Sequence, residues 1–331
     1  MIMRRVLSIL ARAAPALLLA ALFTTAAPAQ AQTAAASSRL QMVDLGTLAG
    51  PQSDSWANAV NNRGEVVGWS TLDDVFQVHA FLWRQGKMTD LAPLVSADDI
   101  NDNGVVVGAG GSANGERHAF MWADGKATDL GTLGGTLSEA SGVNNLGQVV
   151  GLSWTASGEP HGFLWYRGKM TDLGPLVSAD DINEQGQVVG EYWSPGGSMD
   201  PVMYDLRDHK LTDLGVLDGW GGEALAVNDR GQAVGDLGVP KGNTAFFWSN
   251  GQMTDLGMLG GDLSQAWGIN DQGLVVGTVN VPSVGSRAFT WRDGVMTLLP
   301  EGSIATDVSN SGVIVGTDHA GPVGYHAILW R

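Results

Sequence analysis

Gly64-Glu65-Val66-Val67-Gly68 decides the fold, because the chain repeats this pentapeptide pattern six more times. Gly-x-(Val/Ile/Ala)-Val-Gly returns at Gly104, Gly147, Gly186, Gly231, Gly273 and Gly312, at intervals of 40, 43, 39, 45, 42 and 39 residues. A period in this range, with short apolar runs between Gly-rich turns, is that of propeller blades. Working outward, each copy reads as four short strands. Upstream lies a first strand led by Ala (Ala57, Ala97, Ala140, Ala179, Ala224, Ala266 and Ala305), then a turn of the form Asn-x-x-Gly. Asn opens such a turn and Gly accepts positive φ at its end. The pentapeptide is the second strand. The third is His-Ala-Phe-Leu-Trp at 79–83 and its variants, and the fourth is Met-Thr-Asp-Leu-Gly, as at 170–174 and 253–257.

The phase of the repeat predicts closure. Met42-Val43-Asp44-Leu45-Gly46, near the start, copies the fourth strand, and His326 to Trp330, at the end, copies the third. The last blade therefore lacks a fourth strand that the N-terminal segment can supply. An open array would leave two unpaired edges, and a ring removes them. The expected fold is all-β: a seven-bladed β-propeller over residues 41–331, with four antiparallel strands per blade and a closing blade completed from the N-terminus.

The His-Ala-Phe at 79–81 and 118–120 carries a resemblance to the HAF-repeat family of bacterial exported proteins, and the resemblance covers residues 41–331. It implies an exported bacterial repeat protein and supplies no activity that could be placed on particular residues.

Residues 1–31 read as a secretory signal peptide: Arg4 and Arg5, the apolar run Ala13 to Phe23, and Ala29-Gln30-Ala31 as a small-x-small cleavage site. Residues 32–40 read as a tether. No other apolar stretch is long enough to span a bilayer. Cysteine is absent, which excludes a disulfide framework and thiolate metal sites. The formal charge is −16, and it becomes −19 once Arg4, Arg5 and Arg12 leave with the leader. An acidic surface repels phosphate backbones and anionic lipid heads, so no nucleic-acid partner is expected. The expected location is periplasmic or extracellular, and the expected state is a monomer.

Repetition within one chain separates scaffold from function. The third-strand tryptophans (Trp83, Trp122, Trp165, Trp248, Trp291 and Trp330) are expected to pack between blades. The histidines that head that strand (His79, His118, His161 and His326) are expected to be structural, and the fourth-strand aspartates to bond strand ends. Two residues beyond the leading Ala, four blades have Ala or Gly, whereas Asp99, Asp181 and Asp307 stand in blades two, four and seven. Two readings are open for these three. They could hold a cation, calcium being the candidate, or each could accept backbone N–H bonds that the shorter preceding connection in these blades leaves unmade.

The second-to-third and fourth-to-next-first connections are longer than the others, and alternating strand direction puts both on one face. They carry aromatics that no other blade repeats: Trp69, Trp154, Tyr192, Trp193 and Tyr325, with Trp220 from a connection between blades. Exposed rings beside carboxylates and amides hold sugar rings and peptides; alternatively, they cover blade ends. Trp69, Trp154 and Trp193 follow their closing glycines at odd offsets, which predicts a shared side and a common platform. The chain is thus expected to be a non-catalytic binding or scaffold protein for a glycan, peptide or protein, without cofactor. The alternative is a hydrolase or lyase acting on an extracellular polymer, with Asp318, His319 and Tyr325 as the local candidates for acid and base.

Overall fold

The two glycines of the decisive pentapeptide answer different backbone needs. At the turn, Asn61 Oδ1 accepts the N–H groups of Arg63 and Glu65 at 3.1 and 3.0 Å. The Gly64 N–H returns to the Asn61 carbonyl at 3.0 Å. Gly64 sits at φ +73°, a left-handed conformation that a Cβ disfavours. Further on, a bulge shifts the register of the first strand between Ala57 and Ala59. It brings the Trp56 carbonyl against Gly68, where any Cβ would collide with it. The same shift and the same collision recur in all seven copies.

This computed structural model describes residues 40–72, 77–217, 220–319 and 324–331. The expected leader (1–31) and residues 32–39 of the tether lie outside the described residues. The strands form seven antiparallel four-stranded sheets. The chain is a seven-bladed β-propeller. The first strands of blades one to six are Ser55–Val60, Leu94–Ile100, Gly134–Val143, Leu176–Ile182, Gly222–Val227 and Ser264–Ile269, and they line the axis. Blade seven takes Ile304–Val308, Ile314–His319 and Tyr325–Trp330 from the C-terminus and Met42–Asp44 from the N-terminus. Met42 pairs with Trp330, Val43 with Leu329 and Asp44 with Ile328. Gln41 and Leu45 extend this ladder, their N–H groups donating to Arg331 and Ala327 carbonyls at 2.9 Å each. The closure predicted from the repeat phase is the one observed.

There is no single central core. The buried apolar residues divide into seven clusters, and each is shared by two adjacent blades. The third-strand tryptophans belong to these wedges, with Trp330 fully buried. The wedges therefore supply the apolar burial that holds the ring together. The heads of the third strands are held by a clamp. His79 Nδ1 lies 2.8 Å from Asp90, His118 and His161 lie 2.9 Å from Asp129 and Asp172, and His326 lies 2.8 Å from Asp44 across the closing seam. The same aspartates accept the N–H two residues on, as Asp129 does from Gly131 at 2.8 Å. Both the histidines and the aspartates are strand-end fixtures, as their recurrence predicts.

One expectation about the connections needs correction. The second and third strands run on past the closing glycine, so that Ala233–Val239 and Gly242–Ser249 are joined by only two residues. Trp69, Trp154, Tyr192, Trp193 and Tyr325 accordingly sit on paired strands rather than in loops. Backbone pairing continues there although Pro160 and Pro201, opposite Trp154 and Glu191, lack a ladder donor. Among the described residues, no helix is long and apolar enough to cross a membrane.

Candidate functional site

The propeller has two unlike ends. At the end made by the Asn-x-x-Gly turns, neighbouring blades are tied together by side chains. In six blades the Asn Nδ2 donates to the carbonyl at the equivalent position of the next blade, from Asn61 to Asn101 at 3.1 Å through Asn270 to Ser309 at 3.1 Å. The residue after each of these forms a second ring. The N–H of Asn62 donates to Asp102, and the relay continues through Asn145, Glu184, Asp229, Asp271 and Asn310. It closes when the Asn310 N–H donates back to Asn62 Oδ1 at 2.7 Å. An acid or amide stands at this position in every copy of the turn, a regularity that is visible in the sequence but whose purpose only the closed ring reveals. The mouth inside these rings has a volume of about 240 Å³. Burial pushes Glu184 and Asp229 above the ordinary carboxylate range, with the neighbouring acids Asp229 and Asp271, respectively, adding to the effect.

Asp99 and Asp307 line that mouth, and Asp181 bonds to Ile182 and Val227, which line it; each of the three stands on its own blade. Each carboxylate bridges two blades. Asp99 accepts the N–H groups of Ile100 and of Val143 in blade three, both at 2.7 Å. Asp181 accepts those of Ile182 and Val227 at 2.7 and 2.8 Å, and Asp307 those of Val308 and Val60 at 2.7 and 2.8 Å. The small residues of the neighbouring blades now have a reason as well: a Cβ on Gly142 would lie 3.0 Å from the Asp181 Cα, and one on Gly268 would lie 2.9 Å from that of Asp307. Burial pushes Asp181 up to about 7 and Asp307 up to about 6. Asp99 is pushed well up by burial and then by the charge of Asp181. Among the described residues no three His, Asp or Glu side chains are spaced to hold a metal ion. These three carboxylates are placed as blade-to-blade bonds, and the structure does not gather them into a calcium-ligating cluster.

The opposite end carries the unrepeated aromatics, and the structure sorts them into three kinds. Trp69 and Tyr325 come together at the seam of blades one and seven, joined by a ring that the sequence pattern does not single out. Trp56, in the first strand, stacks on Trp69 with ring centres 6.2 Å apart and planes 6° apart, and meets Tyr325 at 5.9 Å. Tyr325 is 43% exposed, its N–H donates to Asp54 at 2.8 Å, and the exposed His319 meets its ring edge-on at 5.0 Å. Asp318 does not complete an acid–base pair there. It neighbours His319 in the strand and so points to the other face, where it accepts the Ser303 O–H at 3.2 Å.

Tyr192 is a correction. It is 9% exposed and its O–H donates to Asp213 at 2.9 Å, so it is a blade component. Burial, followed by the hydrogen bond to Asp213 and the charges of Asp213 and Asp200, pushes its hydroxyl up to about 12. Trp154 is half-buried, with Gly135 lying against its backbone and Cβ. Trp193 and Trp220 are 62% and 60% exposed. Among the described residues none of Trp154, Trp193 and Trp220 stacks on another ring, so only Trp69 of the three expected platform residues joins an aromatic cluster.

The chain matches no protein-family model and no curated protein. It is similar to solved structures. One is TolB from Acinetobacter baumannii, at TM-score 0.51 and 12% identity over 81% of this chain and 80% of that one. A second is a Mycobacterium tuberculosis puromycin-hydrolyzing peptidase, at TM-score 0.54 and 12% identity over 84% of this chain and 51% of that one. A third is the RRP9 WD40 repeats, at TM-score 0.53 and 11% identity over 89% and 98%. The likeness is of the fold. This chain spans about half the length of the peptidase, and no activity passes to it at such identities.

Proposed function

We propose that the protein is an exported, non-catalytic binding module that holds a glycan, peptide or protein partner at the aromatic end of its propeller. The observation that carries this reading is the Trp56–Trp69–Tyr325 cluster. Three rings meet at one seam on rigid strands, with Asp54 and His319 beside them as polar groups. Such a surface offers large apolar area at small conformational cost, and its polar neighbours orient a ligand. Propellers as unlike in sequence as TolB and a WD40 protein share this scaffold, which fits a binding role for the fold. Export is supported by the signal-peptide pattern at 1–31 and by the resemblance to the HAF-repeat family.

The test is a glycan and peptide array on the purified mature chain, repeated with Tyr325→Ala and Trp69→Ala. Selective binding that weakens on the order of tenfold to a hundredfold in both variants, with little change in the melting curve, is the expected result. Binding that both variants retain at full strength would place the partner elsewhere and overturn the assignment.

A further inference from the structure

The ionic side chains of this propeller are sorted by end. Among the described residues, Arg117, Lys241 and Arg287 are the only Lys or Arg at the end that carries the aromatics. Two of them are engaged. Arg117 Nε donates to Glu139 at 2.6 Å, and Arg287 donates to the Leu299 and Pro300 carbonyls at 2.7 and 3.0 Å. Of the three, Lys241 alone is exposed, on the hairpin between Ala233–Val239 and Gly242–Ser249. The other eleven described Lys and Arg stand at the opposite end, in its turns or at its strand ends. There they are mixed with acids, as where Arg63 and Arg84 meet Glu65 and Arg207 meets Asp205.

Carboxylates crowd the aromatic end without that balance. Six blades carry an aspartate at that end of the fourth strand, and Asp54, Glu116, Glu159, Asp262 and Glu301 stand in the connections. The clamp aspartates Asp44, Asp90, Asp129 and Asp172 keep more than a third of their side chains exposed, so their charge faces solvent. The two ends are a strand length apart. A strand of seven residues, such as Val149–Thr155, spans about 23 Å, whereas exposed charges are screened beyond about 8 Å at physiological ionic strength. The cations of the turn end therefore do not offset the negative field at the aromatic end. That field attracts cations and repels polyanions.

The carboxylates set this field but are not the docking surface, because the clamp aspartates already bond histidines and strand-end N–H groups. The contact surface is the Trp56–Trp69–Tyr325 cluster, where Tyr325 is 43% exposed and His319 beside it is exposed. Indole and phenol faces attract ammonium and guanidinium groups. A charge spread over the connections of several blades suits a partner that carries several cations at once. We propose that this partner is a basic polypeptide segment, rich in arginine and lysine, seated on the Trp56–Trp69–Tyr325 cluster and drawn there by the carboxylates of that end. The inference rests on the reading of that cluster as a binding site, and it selects a basic polypeptide over a glycan.

The experiment titrates the purified mature chain by calorimetry at about 0.15 M sodium chloride. The probes are an octapeptide of alternating glycine and arginine, its citrulline counterpart of the same size without the charge, and maltohexaose. Saturable binding of the arginine peptide, at least tenfold tighter than that of the citrulline peptide and weaker in added salt, is the expected result. Tyr325→Ala and Trp69→Ala should each weaken it at least fivefold. Glu159→Gln combined with Glu301→Gln should weaken it at least twofold. Both glutamates are exposed and outside the cluster, so this variant reports even if Trp69→Ala folds poorly. Arg167→Gln with Lys169→Gln, at the opposite end, should leave the isotherm unchanged. Maltohexaose binding that Tyr325→Ala abolishes, with no binding of the arginine peptide, would overturn the basic partner and leave the cluster's binding role standing. Equal affinity for the two peptides, arginine-peptide binding at full strength in Tyr325→Ala, or no saturation with any probe would also overturn the proposal.

Discussion

Asp307 illustrates how one side chain can serve two blades. Its two oxygens accept N–H groups from Val308 in its own strand and from Val60 in blade one, 247 residues away in sequence. An asparagine there keeps one acceptor and turns an NH₂ group toward the other donor. Asp307→Asn should therefore lower unfolding stability by about 1–3 kcal/mol, the cost of one unsatisfied buried N–H. Urea midpoints for the variant and the parent check this, and a parent-like midpoint would remove the bridging role. Millimolar calcium should leave both melting curves where they are, because both oxygens are already engaged. The same scale shows why some residues escaped the sequence. Trp56 stands immediately before Ala57, a position that the other blades fill with Ser, Glu, Gln or Ile, but it lies in a first strand and not in the longer connections where the unrepeated aromatics were sought. Tyr192 read as a rim residue because its burial depends on the change from His to Asp200 across the sheet, a contact that only the folded register creates.

At the scale of the strand, the closing element carries the most testable claim. Met42–Asp44 is three residues long, yet it brings with it the Gln41 and Leu45 ladder bonds, the Asp44–His326 clamp and the buried Leu45 side chain. Each backbone bond contributes about 1 kcal/mol net, and burying a leucine contributes about 2. Ordering a short segment costs much of that. Deleting residues 32–46 should lower stability by on the order of 3 kcal/mol, whereas deleting 32–38 should change it by less than about 0.5. Equal melting of the two truncations would mean that the N-terminal strand does not close the ring. This element was legible in advance because a repeat cut out of phase leaves complementary fragments at its ends. The strand extensions beyond the closing glycines were not. Residues 69–72 and 191–193 contain no proline and no paired turn residues, but they fall outside the repeated pentapeptide and so read as connections, and only the partner strand shows that pairing continues.

The whole molecule concentrates acid around its axis. Seven wedges meeting in a ring bring the Asp99 and Asp307 carboxyls to one mouth, with Asp102, Glu184, Asp229 and Asp271 in the relay that encircles it, and Asp181 bonds to Ile182 and Val227, which line it. Burial raises Asp181 to about 7 and Asp307 to about 6, and burial and the charge of Asp181 also push Asp99 well up. In the unfolded chain all three return to about 3.9. The fold therefore binds these protons more tightly than the unfolded chain does. Their stabilisation is complete below about pH 4 and is lost as pH rises through 6 and 7. Glu65 runs the other way: burial opposes its charge, but hydrogen bonds from Asn61 and Arg63 hold it below the ordinary range, so its contribution fades only as the solution becomes strongly acidic. The melting temperature should therefore be higher at pH 5 than at pH 8. General repulsion in a chain of formal charge −16 would yield to salt, because exposed charges are screened beyond about 8 Å at physiological ionic strength. The buried aspartates are screened far less, so the difference should persist in about 0.5 M sodium chloride, where the Debye length falls to a few ångströms. A melting temperature that is flat or rising from pH 5 to pH 8 would show that the inner carboxyls are not held protonated by the ring. A difference that salt abolishes would assign the effect to the surface instead.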